Sequence, residues 1–206
     1  MKRQLLVLVL LLLQAFFAFS QEWPTKDLDT GRKEDYLTEE EKEIILLINK
    51  ARSNPAQFAK TYLEIRKNEN SYAKECYEQL LTWPSQEILK PSKALWGAAR
   101  DHATDMGEKG AAGHIGTKGD EVMDRVDRYG THTGSFTKPS ENCAYGHSDP
   151  LDIVLYLLID NQVKSRGHRK NLMQKHIRFI GCSIKPHIMY ISNCVIVLTD
   201  SIEDKK

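Results

Sequence analysis

The sequence predicts an α+β domain, or a three-layer arrangement of helices about a sheet, behind an export segment. Helix-forming patterns fill the first half and the middle of the chain, while strand-like apolar runs gather late, between Phe179 and Leu198. The two kinds of pattern do not alternate as a βαβ fold requires. With 206 residues and a formal charge of +1, the chain is long enough for one domain with a real core. Its charge is too evenly balanced for a general electrostatic grip on nucleic acid or acidic membranes, which relies on clustered Lys and Arg.

The export segment comes first. Lys2 and Arg3 precede an apolar run from Leu5 to Phe19, broken only by Gln14, and Ala18-Phe19-Ser20 offers small residues where a signal peptidase reads them. Residues 1–20 are therefore expected to be a signal peptide, cleaved before Gln21; a retained anchor is the competing reading, since the run could nearly span a bilayer. No second long apolar run follows, so a soluble, secreted and monomeric product is expected, periplasmic or surface-exposed in a bacterium. Residues 21–37 are charged and turn-rich and read as a loose leader. The domain proper is expected over 38–199, with a charged tail over 200–206.

Thr38-Glu39-Glu40-Glu41 reads as a capping box opening a helix whose apolar stripe is Ile44, Leu47 and Ile48. Asn54-Pro55 interrupts it and starts a second helix to about Ile65, with Phe58, Tyr62 and Ile65 inward. A short helix follows from Tyr72 to Leu81, ended by Trp83-Pro84. Pro91-Ser92 begins the next, which places Leu95, Ala99, His102, Ala103 and Met106 on one face before Gly110 stops it. Glu121 to Tyr129 is a further short helix, and Thr131 to Ser140 reads as a mobile loop. Asp149-Pro150 starts a helix apolar nearly all round from Leu151 to Ile159, hence deeply buried. Phe179–Ile184 and Met189–Leu198 read as paired strands.

The four cysteines, Cys76, Cys143, Cys182 and Cys194, are an even count in an exported chain. Cys182 and Cys194 lie equally far from a turn centred near Ile188, which favours their pairing across a hairpin and leaves Cys76 with Cys143.

Chemistry concentrates between Gly113 and Asn171. His114 sits between glycine turns, Glu141 begins an inner-strand pattern, and His168 follows Ser165-Arg166-Gly167. Two loop imidazoles can converge on one divalent ion, neutral imidazole being the commonest nitrogen ligand for zinc. A partly desolvated Glu141 can take a proton from a metal-bound water, or serve as a buried acid bonded to turn amides. Asp160, at the end of the buried helix, either emerges to solvent or meets a cation. His102 reads as a core histidine, and Arg125 and Arg128 as flanking the cleft or capping a carboxylate. His147-Ser148-Asp149 holds triad residue types, but Asp149-Pro150 is better explained as a helix start.

Taken in order, the blocks His114-Ile115-Gly116, Arg125 with Tyr129-Gly130, Glu141-Asn142-x-Ala144-Tyr145-Gly146 and Ser165-x-Gly167-His168-Arg169-x-Asn171 resemble the CAP superfamily of cysteine-rich secretory, antigen 5 and pathogenesis-related 1 proteins. The likeness is to its secreted microbial-type branch and runs from about Thr38 to Thr199. It implies an α-β-α sandwich with a central cleft of two histidines and two acids, which holds zinc or another divalent cation in some members. His114, Glu141 and His168 match three of those places, and Asp160 is the acid available for the fourth. By the same resemblance the chain is expected to be an extracellular binding or effector module for a protein, peptide or lipid. A metal-dependent hydrolase with Glu141 as general base is the alternative, and lipid or sterol carriage a third.

Overall fold

A computed structural model describes residues 23–205; the expected signal segment lies outside the described residues. The segment expected to be a loose leader is packed. Its short helix α1 (Thr25–Leu28) buries Leu28, the Leu28 carbonyl accepts from Asn49 Nδ2 at 2.9 Å, and Thr30 Oγ1 donates to the Leu89 carbonyl at 2.7 Å. Its charged composition hid two apolar anchors, Leu28 and Leu37, both buried.

Helix α2 (Glu39–Ser53) starts at the expected capping box: Thr38 Oγ1 accepts from the Glu41 amide at 3.2 Å and Glu41 Oε2 from the Thr38 amide at 3.1 Å. Asn54-Pro55 breaks it as expected, and α3 (Pro55–Phe58) runs on into a π turn over Ala59–Leu63. Ile65, expected inward, is 88 % exposed, because a wider π turn rotates the residues after it off the apolar stripe. Helix α4 (Ser71–Thr82) is capped by Asn70. After the two-residue strand β1 (Lys90–Pro91), α5 (Lys93–Lys109) begins at Ser92 and stops at Gly110, whose φ is 65°. There follow α6 (Val122–Tyr129), β2 (Gly130–His132), β3 (Ser140–Tyr145), α7 (Pro150–Ile159), α8 (Gly167–Met173), β4 (Phe179–His187), β5 (Ile191–Thr199) and β6 (Ile202–Asp204).

The main sheet has the order β1-β4-β5-β3, parallel between β1 and β4 and antiparallel elsewhere. Strand alternation divides its side chains between two cores. Ala144, Cys182, Cys194, Ile196 and Leu198 pack with α2, α4, α7 and α8, while Cys143, Val195 and Val197 pack with α5 and α6. The result is the expected α-β-α sandwich. Helix α5 lies directly on the backbone of β4: a Cβ at Gly181 would stand 2.0 Å from the Leu95 carbonyl carbon, and one at Gly107 would stand 2.1 Å from the Pro186 carbonyl oxygen. Ala98, Ala99 and Ala103 complete this close face.

Several expectations need correction. The hairpin register pairs His187 with Ile191, so Cys182 faces Ile196 and Cys194 faces Ile184. The turn is centred one residue later than expected, and the two thiols meet diagonally, Sγ to Sγ 3.7 Å, with all four cysteines free. Cys76 and Cys143 lie in the two different cores, with the sheet between them. The expected charged tail forms β6, which pairs with β2, and Asp204 accepts from Ser92 Oγ at 2.8 Å and from the Lys93 and Ala94 amides at the start of α5. The loop expected to move over the site is tied to this C-terminal segment instead: Asp200 accepts from the Phe136 amide at 2.8 Å and from His132 Nε2 at 3.1 Å.

Two outcomes follow from this packing. Gly181→Ala forces backbone apart from backbone, so it should lower the unfolding free energy by about 2–3 kcal/mol, read from urea midpoints. Burial pushes Asp200 up, but the Phe136 amide and His132 outweigh it and hold its carboxyl at about 2. A depressed folded pKa means that the stability it gives is complete above the unfolded value and is lost as pH falls through about 2; the Phe136 amide resonance should titrate with that midpoint.

Candidate functional site

The site is built where the turn after α5 meets the edge strand β3. Gly110 turns the chain in the left-handed region, and Gly113, at φ 122°, turns it again with open space where a Cβ would sit. That second turn lays the imidazole of His114 over β3, with Nδ1 2.9 Å from Glu141 Oε1. A carboxylate only accepts, so Nδ1 carries the proton and Nε2 of the neutral ring keeps its lone pair.

Glu141 and Cys143 share the strand face that looks toward α5. The carboxylate is buried and answered from several elements. Arg125 of α6 donates from Nη2 to Glu141 Oε2 at 2.7 Å and to the His114 carbonyl at 3.1 Å. His102 of α5 places Nε2 3.6 Å from Glu141 Oε1 while donating to the Gly113 carbonyl at 3.0 Å. Cys143 Sγ lies 3.6 Å from Glu141 Oε1 and 3.7 Å from His114 Nδ1. Burial pushes Glu141 up, but the His114 hydrogen bond and the charges of His102 and Arg125 outweigh it, so its carboxyl titrates below the ordinary glutamate range. The same hydrogen bond raises His114, against burial and the charge of Arg125.

A second imidazole–carboxylate pair stands on the other side of β3. Asp160 closes α7 in the left-handed region at φ 54° and accepts twice from His168, from the amide at 2.9 Å and from Nδ1 at 2.7 Å. It does not emerge to solvent, being 2 % exposed. Asn142 Nδ2 donates to the His168 carbonyl at 3.0 Å, and Asn171 Nδ2 to Asn142 Oδ1 at 2.9 Å. Adjacent residues of one strand thus serve the two pairs, Glu141 one and Asn142 the other. Among the described residues, no hydrogen bond or ion pair joins the pairs directly.

All four expected residues are therefore engaged, as two pairs. Sequence reasoning missed the involvement of His102 and Cys143. His102 is a buried histidine as expected, yet it faces Glu141 rather than an apolar core. Its signal was available: it shares a helix face with alanines, where a close-packed strand must lie, and Cys143 has the same strand parity as Glu141. Arg125 caps the carboxylate, and Arg128 pairs with Asp120 at 2.8 Å on the rim.

The chain is thus an α-β-α sandwich carrying a histidine turn, a buried Glu on an edge strand and a Gly-His turn capped by Asp. Residues 46–188 match the profile of the cysteine-rich secretory protein family, CAP, and the chain belongs to that family. No curated protein matches. Among solved structures the chain is similar to an outer surface protein from Borrelia burgdorferi, at 18 % identity and a TM-score of 0.43, over 68 % of this chain and 94 % of that one. It is also similar to an extracellular protein containing a SCP domain from Bacillus anthracis str. Ames, at 20 % identity and a TM-score of 0.45, over 67 % of this chain and 41 % of that one. Among the described residues no helix is long and apolar enough to cross a membrane.

Arg125→Met leaves a buried carboxylate without its cation and should cost about 3–5 kcal/mol, measured by thermal unfolding, with Glu141 titrating upward in carboxyl NMR. For the wild type, the raised His114 contributes stability that is present below 6.5 and lost as pH rises through its folded value. The lowered Glu141 contributes stability that is present above 4.5 and lost as pH falls through its folded value. Both contributions are complete between 4.5 and 6.5, and His114→Gln should weaken the fall in stability above that window.

Proposed function

We propose that this chain is an exported binding module of the CAP family whose cleft captures a divalent cation through His114 and His168. The observation that carries the reading is that both imidazoles donate Nδ1 to a carboxylate, Glu141 at 2.9 Å and Asp160 at 2.7 Å. Such a carboxylate fixes the tautomer, orients the ring and leaves Nε2 as the metal-binding atom, the outer-shell arrangement of histidine–zinc sites. The two rings are the donors of this reading, and Glu141 and Asp160 hold them. Bound there, zinc would supply a fixed positive charge and coordination positions for an oxygen or nitrogen of a partner. Four exposed apolar side chains at the tip between β4 and β5, Ile188, Met189, Tyr190 and Ile191, support a role in binding an extracellular protein, peptide or lipid.

The hydrolase reading asks Glu141 to take a proton from a water. Its two oxygens already accept from His114 and Arg125, and its pKa is lowered, both of which weaken a general base. Binding without turnover is the better reading.

Metal analysis of the purified chain after export tests it. A divalent ion should be present and should raise the melting temperature, and both His114→Ala and His168→Ala should lose it; metal content unchanged in both variants would overturn the proposal.

A further inference from the structure

We propose that His102, Glu141 and Cys143, with Nδ1 of His114 at the fourth corner, form an inner site for a thiophilic divalent cation such as zinc or cadmium. It uses neither His168 nor Asp160; it shares His114 with the outer reading but takes Nδ1 where that reading takes Nε2, so the two use that ring in opposite tautomers and His168→Ala tells them apart.

The donors are already at coordination spacing. One nitrogen, oxygen or sulfur from each of His102, Glu141 and Cys143 lies within 4.8 Å of the others. His114 Nδ1, Glu141 Oε1 and Cys143 Sγ are separated by 2.9, 3.7 and 3.6 Å, and His102 Nε2 stands 3.6 Å from the same carboxylate oxygen. Bonds of about 2.0 Å to N or O and about 2.3 Å to S, set tetrahedrally, imply donor separations of about 3.3–3.6 Å. Small side-chain shifts therefore close the set.

The charge distribution fits as well. Arg125 occupies Glu141 Oε2 alone and leaves Oε1 facing the cluster, so it acts as the outer-shell partner of a ligating carboxylate. A thiolate and a carboxylate balance a divalent ion. On binding, the Cys143 thiol releases its proton to solvent, the His114 proton moves from Nδ1 to Nε2 so that Nδ1 can ligate, and the His102 proton moves from Nε2 to Nδ1, a buried atom with no hydrogen-bond partner. Sulfur selects zinc and cadmium over magnesium and calcium, which prefer oxygen alone. A catalytic thiol is excluded by the geometry: Glu141 Oε1 and Cys143 Sγ approach the same nitrogen of His114, so the ring cannot pass a proton between them as a triad histidine does. The cluster meets solvent at His114, which is half-exposed, and a cleft of about 430 Å³ carrying Asp101, Asp105 and Asp120 lies against the same stretch of α5.

Cadmium titration of the metal-free protein tests the inner site. The expected result is one ion per chain, a thiolate-to-cadmium charge-transfer band and one proton released. Cys143→Val should abolish the band and weaken binding at least about 10-fold, whereas His168→Ala and Cys182→Ala should keep it. Absence of the band in the wild type, its survival in Cys143→Val, or its loss in His168→Ala or Cys182→Ala would each overturn the proposal, the last by assigning the ion to the neighbouring thiols of Cys182 and Cys194. Should Cys143→Val fail to fold, cadmium NMR of the wild type decides: a one-sulfur environment supports the site and a two-sulfur environment overturns it.

Discussion

A buried, charged glutamate on an edge strand is the constraint around which this molecule closes. Glu141 cannot be left unpaired at that depth without a penalty of several kcal/mol. Its compensation comes from three segments distant in sequence: Arg125 on α6, His102 on α5 and His114 on the turn between them. Each of these also holds backbone. Arg125 reaches the carbonyls of Asp120 and His114, and His102 reaches that of Gly113. The loop from 111 to 120 is thus shaped from inside by the side chains that answer the carboxylate. Replacing a buried ion pair by apolar residues is often neutral or stabilising, so stability alone gives no reason to place one here. That contrast is the physical argument for reading the cluster as a site.

Strand parity divides the cleft. Because neighbouring residues on β3 point to opposite faces, Glu141 serves the α5 side and Asn142 the α7–α8 side, where it holds the His168 carbonyl and is itself held by Asn171. A one-residue slip of β3 would exchange the two, breaking the His114–Glu141 pair and taking Asn142 from the His168 carbonyl. Six consecutive registered pairs with β5, from Ser140–Leu198 to Tyr145–Asn193, prevent that slip, and the apolar partition between the two cores enforces the same register.

How much of this was legible depended on range. Local chemistry could be read directly: the Thr38 capping box, the Asn54-Pro55 break, the Gly110 stop and the Asp149-Pro150 start all act within a few residues, and all are present. The pairing of His168 with Asp160 was within reach because both belong to the short segment joining α7 to α8. Non-local facts were harder. Nothing in the pattern announces the π turn that exposes Ile65. A turn centre misplaced by one residue moves a cysteine pair from direct to diagonal opposition. The roles of His102 and Cys143 required knowing that α5 lies over β4 and β5 with His102 reaching across to β3, which composition does not state. The packed leader and tail were misread for a related reason, since two leucines and one aspartate outweigh a charged average.

The close approach of α5 to the sheet links fold to site. Gly181 and Gly107 let the helix rest on the backbone of β4 with no side chain between, and the alanines at 98, 99 and 103 keep that distance along its length. Interior packing transmits displacement rather than absorbing it, so any residue that lifts α5 also lifts His102 from Glu141. From a 3.6 Å separation, a shift of one methyl thickness takes His102 beyond contact with the carboxylate, weakens their interaction and opens the cluster. The small residues under α5 are therefore part of the site although none of them can hold a proton or an ion, and their effect on chemistry would appear first in the titration of Glu141.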